Sequence, residues 1–313
     1  MKCPSESVAV LRDTESARGT AGAKLLVVVM GFAWGFNWVA TRIILQSLPP
    51  WTMRTLGVGL GALVLVTAAL VARMPITVPR GDRLKIVIAG FFNVAIFNVC
   101  SAYSQIYGTT SRAVVIAYSM PIWASLLARL LLKEKLTPVK LTALSLCALG
   151  LAILIGPLAQ SGFPLGALFA LGCAWSWAAG TIYLKTARLE TPTLVASFWQ
   201  LLFGWVMLTA GALAFEGLPQ LWPLPGSVVG WIAYNGLIGM GLTYFIWFVV
   251  VDRLPTMTAS IGSLLVPVVG VIGSTLVNGE RPGLYDIIGF ALIFAAAAGV
   301  LLQPNARHDE MPE

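Results

Sequence analysis

The side chains that could run acid–base, nucleophilic or metal chemistry are few, and they are badly placed for it. All 13 acidic residues fall in the terminal tails, in short loops or in the first turn of a long apolar run. The single histidine, His308, lies in the C-terminal tail. The four cysteines, Cys3, Cys100, Cys147 and Cys173, form no CxxC pair. Three of them sit inside apolar runs, where a thiol is a small packing residue. An enzyme needs His, Cys, Asp or Glu gathered at one depth. No such set can be assembled, so the chain is expected to have no catalytic residue, no metal ligands and no cofactor.

What the apolar runs do carry is neutral. Asn37 lies one turn beyond Trp34 in the first run. Asn93 precedes Phe97 by one turn, with Ser101 next on the same face. Tyr118 stands three positions before Pro121, Trp175 and Tyr183 mark the sixth run, and Asn235, Thr243, Tyr244 and Trp247 are spread along the eighth. An unpaired amide is costly in hydrocarbon, so each of these should face a bundle interior or a wet cavity. They can tie helices together or hydrogen-bond a solute, and the residue types alone leave both uses open. A wall of aromatics and neutral hydrogen-bonders suits an amphipathic, partly apolar solute such as an amino acid or a derivative. Trp51, Trp222, Trp231 and Tyr285, nearer run ends, read as interfacial anchors.

The elements that must position these groups follow from composition. Of 313 residues, 58% are hydrophobic and 11% charged, whereas a soluble domain carries about 25% charged residues to keep its surface wet. The apolar residues form continuous runs of the length that spans a bilayer, roughly 20 residues: 24–45, 51–72, 84–106, 112–132, 138–157, 164–184, 193–214, 227–250, 257–277 and 284–302. They do not alternate, as barrel strands would. The reading is an all-α integral membrane protein of ten transmembrane helices, with the lipid bilayer as its main partner. Residues 1–23 and 304–313 read as polar tails. The formal charge of +7 does not indicate nucleic acid, because the basic residues lie in loops without interleaved aromatics.

Lys and Arg collect on the cytoplasmic side of membrane proteins. Both tails and the loops after even-numbered spans hold 16 of them, against Arg42, Arg54, Arg112 and Arg281 on the other side. Both termini are therefore expected in the cytoplasm, in a multi-pass inner-membrane protein. Arg42, Arg54, Arg112 and Arg129 sit near span ends, where snorkelling to the interface is expected. With no cation at mid-depth, phosphorylated cargo is disfavoured.

The two halves repeat. Pro121 and Pro267 are 146 residues apart, as are Glu134 and Glu280, Gly90 and Gly236, and Ala113 and Ala259. Gly31-Phe32-Ala33-Trp34 recurs as Gly172-Cys173-Ala174-Trp175 at an offset of 141. Five spans per repeat make the second copy enter the membrane inverted, the plan of alternating-access carriers whose sites lie at midplane between repeats. The repeats are 24–157 and 164–303. Matched prolines free matched carbonyls, so Pro121 and Pro267 are candidate hinge or site residues. Gly57-x3-Gly61 marks close helix packing.

With these residues in view the sequence resembles the drug/metabolite transporter superfamily, and within it the EamA-type permeases. The resemblance spans residues 24–303. It rests on Gly31-Phe32-Ala33-Trp34-Gly35, on Pro121 followed by Glu134, on their counterparts Pro267 and Glu280-Arg281-Pro282, and on the stretch from Gly289 to Gly299. It implies a ten-helix fold with a central cavity that moves small metabolites, often by export of amino acids or related compounds. The function expected is thus secondary transport, with a passive channel or a non-transporting scaffold as alternatives. Proton coupling through an intramembrane carboxylate is not expected. A monomer and a homodimer both fit.

Overall fold

The structure is a computed structural model that describes residues 25–133, 136–161, 163–219, 221, 223–247 and 256–301. Glu134 and Trp222 lie outside the described residues. Among those described there are helices and connecting turns and no strands. Eight helices are long and apolar enough to cross a membrane: α1 (Leu25–Ile44), α2 (Pro50–Val71), α3 (Arg80–Ile106), α4 (Thr110–Leu132), α5 (described as Pro138–Ser161), α6 (Leu165–Ala187), α7 (Thr193–Phe215) and α8 (Gly226–Trp247). Two further apolar helices follow, α9 (Thr256–Val277) and α10 (Leu284–Leu301).

Prolines set many of the helix starts. Pro50 and Pro138 occupy first turns, while Pro79, Pro164, Pro192 and Pro225 precede α3, α6, α7 and α8. The missing N–H of proline costs nothing at an N-terminus, where the first donors have no helical partner anyway. The donors that remain are met by carboxylates from other segments. Glu216, just after α7, accepts from Trp51 N (2.8 Å), Thr52 N (2.7 Å) and Thr52 Oγ1 (2.8 Å). Glu280, between α9 and α10, accepts from Thr110 N (2.6 Å), Ser111 N (2.9 Å) and Ser111 Oγ (2.6 Å). Asp82 in the first turn of α3 accepts from Glu190 N, Thr191 N and Thr191 Oγ1 just before α7. A carboxylate at a helix N-terminus meets both the free N–H groups and the positive end of the helix dipole. Acidic residues that look like mere loop decoration in the sequence thus fasten one helix to another.

Two helices depart from regular winding. In α3 the turns over Phe91–Ile96 widen to π-geometry, and in α8 those over Tyr234–Leu242 do the same. Each wide segment holds a buried asparagine, Asn93 and Asn235. Asn235 Nδ2 donates to Asn37 Oδ1 (2.8 Å) on α1, and Asn93 Nδ2 to Gln200 Oε1 (3.3 Å) on α7. These amides fit only because glycines face them. A methyl group at Gly57, Gly180 or Gly239 would land on the amide of Asn235, Asn93 or Asn37 respectively. Gly61 packs on Met240, and Gly204 on Val94. The Gly57-x3-Gly61 pattern is therefore a seam between α2 and α8, as its spacing predicts.

The interior is sealed by an apolar cluster in which Val114, Ile116 and Ile122 of α4 meet Leu154 of α5, Ala170 of α6, Val266 of α9 and Ile293 of α10. Another, with Val58 and Leu65 of α2, Val94 of α3 and Leu201 and Leu208 of α7, fills the other side. Outward faces remain apolar: Leu63, Leu131, Leu149 and Leu213 are all more than half exposed. Such a surface is suited to lipid rather than water.

Candidate functional site

A cavity of about 710 Å³ opens between the helices. Trp34, Asn37 and Trp38 of α1 line it, with Phe97 and Asn98 of α3, Tyr118, Pro121 and Ser125 of α4, Trp177 and Thr181 of α6, Tyr244 and Trp247 of α8, Pro267 of α9 and Phe290 and Phe294 of α10. Trp34 is the tenth residue of the 20-residue α1, so the cavity reaches halfway along the bundle. It extends toward the end where α4 and α6 finish and α5 begins, and Lys140 and Lys185 line it there. Among the described residues these lysines are its only charged lining residues.

The opposite end is closed. Beyond the cavity, α4 starts under the Glu280 carboxylate, Ser111 Oγ lies 2.7 Å from Ser274 Oγ of α9, and Arg112 forms a two-point pair with Asp286 of α10 at 2.5 and 3.1 Å. Arg42 donates to the Gln105 carbonyl, joining α1 to α3 at the same level. Burial raises the Glu280 pKa, but the bonds from Ser111 and Thr110 outweigh it and hold the carboxyl below its usual range. It is ionised at neutral pH and grips α4 as an anion. One end of the cavity is thus crossed by polar contacts between helices, while Lys140 and Lys185 line the other.

The aromatic wall is positioned by hydrogen bonds as well as packing. The Trp34 indole donates to the Gly239 carbonyl (3.0 Å) in the widened part of α8. Its ring meets Tyr244 edge-on at 5.5 Å and tilts against Trp247 at 6.1 Å. Phe97 packs between Trp38 and Trp177. The buried carbonyl oxygen of the Asn98 side chain has no protein partner among the described residues, although its amide donates to Val94 O at 2.8 Å. The oxygen is itself covered in this conformation, so a solute meets it only if the wall shifts.

The structure places some of the residues singled out in the sequence at this wall and others away from it. Trp34, Asn37, Phe97, Tyr118, Pro121, Tyr244, Trp247 and Pro267 are brought together around the cavity. Asn93, Ser101, Asn235 and Thr243 are buried outside it and bond to protein: Ser101 to the Asn98 carbonyl, Thr243 to the Ile238 carbonyl, and the two asparagines across helices. Tyr183 stands on α6 away from the lining. Trp175 is 40% exposed and stacks on Trp123 at 4.8 Å, so the indole that α6 contributes to the cavity is Trp177. Two residues along a helix is a rotation of about 200°, which separates an inward side chain from an outward one. Pro121 follows a break at Tyr118 and Ser119, whereas Pro267 lies within an unbroken helix.

Several residues escaped the sequence reading. Trp38, Asn98, Ser125, Trp177 and Thr181 line the cavity, and only the amide of Asn98, one turn from the singled-out Ser101, gave any signal. Arg54, expected to snorkel from a span end, is instead 3% exposed and donates to Ser101 Oγ at 2.6 Å. Among the supposed interfacial anchors Trp51 and Trp231 are half-buried, Trp51 donating to the Tyr103 hydroxyl and Trp231 stacking on Phe36. Tyr285 is 67% exposed.

Known proteins share this layout. YoaV of Bacillus subtilis, described as an uncharacterized transporter, is 24% identical over 272 residues, covering 85% of this chain and 92% of its own. A probable amino-acid metabolite efflux pump of Salmonella typhimurium is 26% identical over 284 residues (87% and 91%), and one of Escherichia coli 26% over 281 (86% and 90%). A solved crystal structure superposes with a TM-score of 0.61 at 22% identity, over 89% of this chain and 95% of that one; that likeness concerns fold alone. The sequence model of the EamA-like transporter family matches twice, over residues 22–156 and 164–302. The chain is a multi-pass membrane protein that belongs to the EamA-like transporter family.

Proposed function

We propose that this protein is a secondary carrier that exports small organic metabolites, amino acids or their derivatives, by alternating access. The observation that carries the reading is a midplane cavity lined by aromatics and neutral hydrogen-bonders, with lysines at one end and interhelical polar contacts across the other. A channel needs a path through both ends at once. A carrier needs one end shut while the other is open, and this arrangement fits it.

The bundle acts as ten spans in two inverted five-helix repeats, 24–157 and 164–303. The double family match supports this. So does the pairing of close contacts: Gly90 rests on the Gln200 carbonyl of α7, and Gly236, 146 residues later, rests on the Gly57 carbonyl of α2. The two π-turns also fall at matching places in α3 and α8. With both termini in the cytoplasm, as the basic loops direct, the end at Lys140 faces the cytoplasm and this conformation is ready to load cargo from inside. Trp34, Asn37, Phe97, Tyr118, Tyr244 and Trp247 contact the cargo. Pro121 and Pro267 work as hinges, and Asn93, Ser101, Asn235 and Thr243 support the wall from behind. The names of the Salmonella and Escherichia relatives support amino-acid metabolites as cargo.

The test is flux in proteoliposomes, using labelled amino acids with unlabelled competitor inside. Saturable uptake accelerated by the internal competitor is expected. Flux proportional to concentration without counterflow would indicate a channel, and no flux of any member of a broad panel would indicate a scaffold.

A further inference from the structure

We propose that Arg54, reached through Ser101 and Asn98, is a carboxylate-binding subsite that selects cargo with a free carboxyl group, while Trp34, Tyr244 and Trp247 take the cargo's apolar part. This deepens the carrier reading and rests on it.

Arg54 is an anomaly in this bundle. Its guanidinium is 3% exposed, in the second turn of α2, yet no carboxylate pairs with it. The ion pairs among the described residues are Lys85–Asp82 and Arg112–Asp286. Among the described residues its hydrogen-bond partner is Ser101 Oγ at 2.6 Å, and its Nε–H has none. A buried cation without a counter-charge is costly, and fastening α2 to α3 through a serine needs no charge. A neutral amide would do the same work. The charge is explained if an anion arrives during the working cycle.

The path to that cation runs from the cavity. Ser101 Oγ, which accepts from Arg54, donates to the Asn98 carbonyl at 3.0 Å, one turn along α3. Asn98 itself lines the cavity, and its side-chain oxygen is the unpaired acceptor. Ser101 therefore links Arg54, whose Nε is an unpaired donor, to the backbone of Asn98, whose side-chain oxygen is an unpaired acceptor. An α-amino acid presents the complement, an ammonium that donates and a carboxylate that accepts. Guanidinium is the side chain best shaped to hold a carboxylate at two points. Arg54 does not line the cavity in this conformation. It lies at the closed end, on the level where Glu280 and Asp286 hold α4, so it meets cargo as that end loosens.

The other half of the chain lacks this device. At the 146-residue offset Asn98 corresponds to Tyr244 and Ser101 to Trp247, both of which form the aromatic wall around Trp34. One half offers charge and amide, the other offers rings. Cargo is oriented by that difference, carboxylate toward Arg54 and side chain toward the rings.

The test compares L-phenylalanine, L-leucine and L-threonine, each with its carboxamide, in two assays on purified full-length protein. One is proteoliposome flux. The other is direct binding, read from quenching of tryptophan fluorescence, since Trp34, Trp38 and Trp177 line the cavity. The wild type is expected to prefer at least one free acid over its amide by about 10- to 100-fold. Arg54→Gln should erase that preference, whereas Arg54→Lys, which keeps the charge, should keep the preference at lower affinity. Flux or binding in which acid and amide are equivalent, or in which Arg54→Gln keeps the preference, overturns the subsite and leaves the carrier reading standing. Binding with an Arg54-dependent preference but no flux supports the subsite and sinks the carrier reading. Neither binding nor flux with any of the six probes, in protein that unfolds cooperatively, overturns both.

Discussion

Replacing Glu280 by Gln should loosen the closed end of the cavity without unfolding the bundle. The carboxylate accepts from two backbone N–H groups and one hydroxyl at the start of α4. Glutamine keeps one acceptor oxygen and turns an NH₂ toward donors that have nothing else to meet. Losing a helix N-cap costs about 1 kcal/mol and up to about 2, and partial solvent exposure of Glu280 keeps the figure within that range. A change of that size shifts the balance between closed and loosened states by about 5- to 30-fold. Amide hydrogen exchange in nanodiscs reads it directly: residues 108–113 should exchange faster by that factor, while the seam between α2 and α8 stays protected. The pH dependence follows from the lowered carboxyl pKa. A depressed folded-state value means the stabilisation is fully present above glutamate's ordinary 4.5 and is lost as pH falls through the lower folded value. The ratio of mutant to wild-type exchange should therefore be flat from pH 5.5 to 8, about one unit and more above that value. Unchanged exchange over 108–113 in the folded variant would refute the fastening role of Glu280, and a ratio that collapses between pH 6 and 8 would refute the assignment of its charge.

Three other perturbations follow from the geometry. Asn37→Ala removes the 2.8 Å acceptor of Asn235 Nδ2 and leaves it only the long 3.4 Å contact to Thr41 Oγ1, so it should destabilise the protein by about 1–3 kcal/mol; thermal unfolding in detergent should show a clearly lowered midpoint, and an unshifted one would mean the pair is not formed. Gly180→Val drives a branched side chain into the Asn93 amide, an overpacking cost of about 1–3 kcal/mol, whereas the same change at Gly156, where nothing lies within contact, should be tolerated; equal melting temperatures for the two variants would count against the close contact of α6 with α3. Pro121→Ala and Pro267→Ala together should slow flux at least about tenfold if those sites act as hinges, and wild-type rates in well-expressed protein would remove them from the mechanism.

The run lengths carried the helices because hydropathy is an integrated property: each run of apolar residues votes for the same outcome. Direction around a helix is far less legible. Trp175 and Trp177 are two residues apart in one apolar run, with only the small Ser176 between them, and their type alone does not say which faces a cavity; the structure turns Trp177 inward and Trp175 outward. The π-turns at Phe91–Ile96 and Tyr234–Leu242 add to the difficulty, because each shifts the helical phase of everything that follows. That is why Phe97, Tyr244 and Trp247 were found by type rather than by periodicity. The acids were legible as loop residues but not as caps, since Glu216 and Trp51 are 165 residues apart in sequence and nothing local records the bond.

Arg54 shows a different limit, and it bears on how a duplicated fold gains a particular cargo. Depth was inferred from distance along the span, and Arg54 is only the fifth residue of α2, a position from which a long side chain reaches water if its helix end is at the surface. Here the start of α2 is itself covered, by Glu216 at its first turn and by Trp51 packed against Gly211 and Phe215 of α7. The cation therefore stays inside. On the proposed two-repeat plan, the scaffold comes from repetition: the wide turns at Phe91–Ile96 and Tyr234–Leu242 meet the same packing problem twice. Cargo selection has to come from the places where the copies differ. Trp34 lines the cavity while Trp175, its counterpart at the 141-residue offset, is 40% exposed and packs on Trp123, and Asn98 and Ser101 correspond to Tyr244 and Trp247 at the 146-residue offset. A cavity polar on one wall and aromatic on the other distinguishes the two ends of a small molecule, and a carrier that does so reads its cargo's polarity as well as its size.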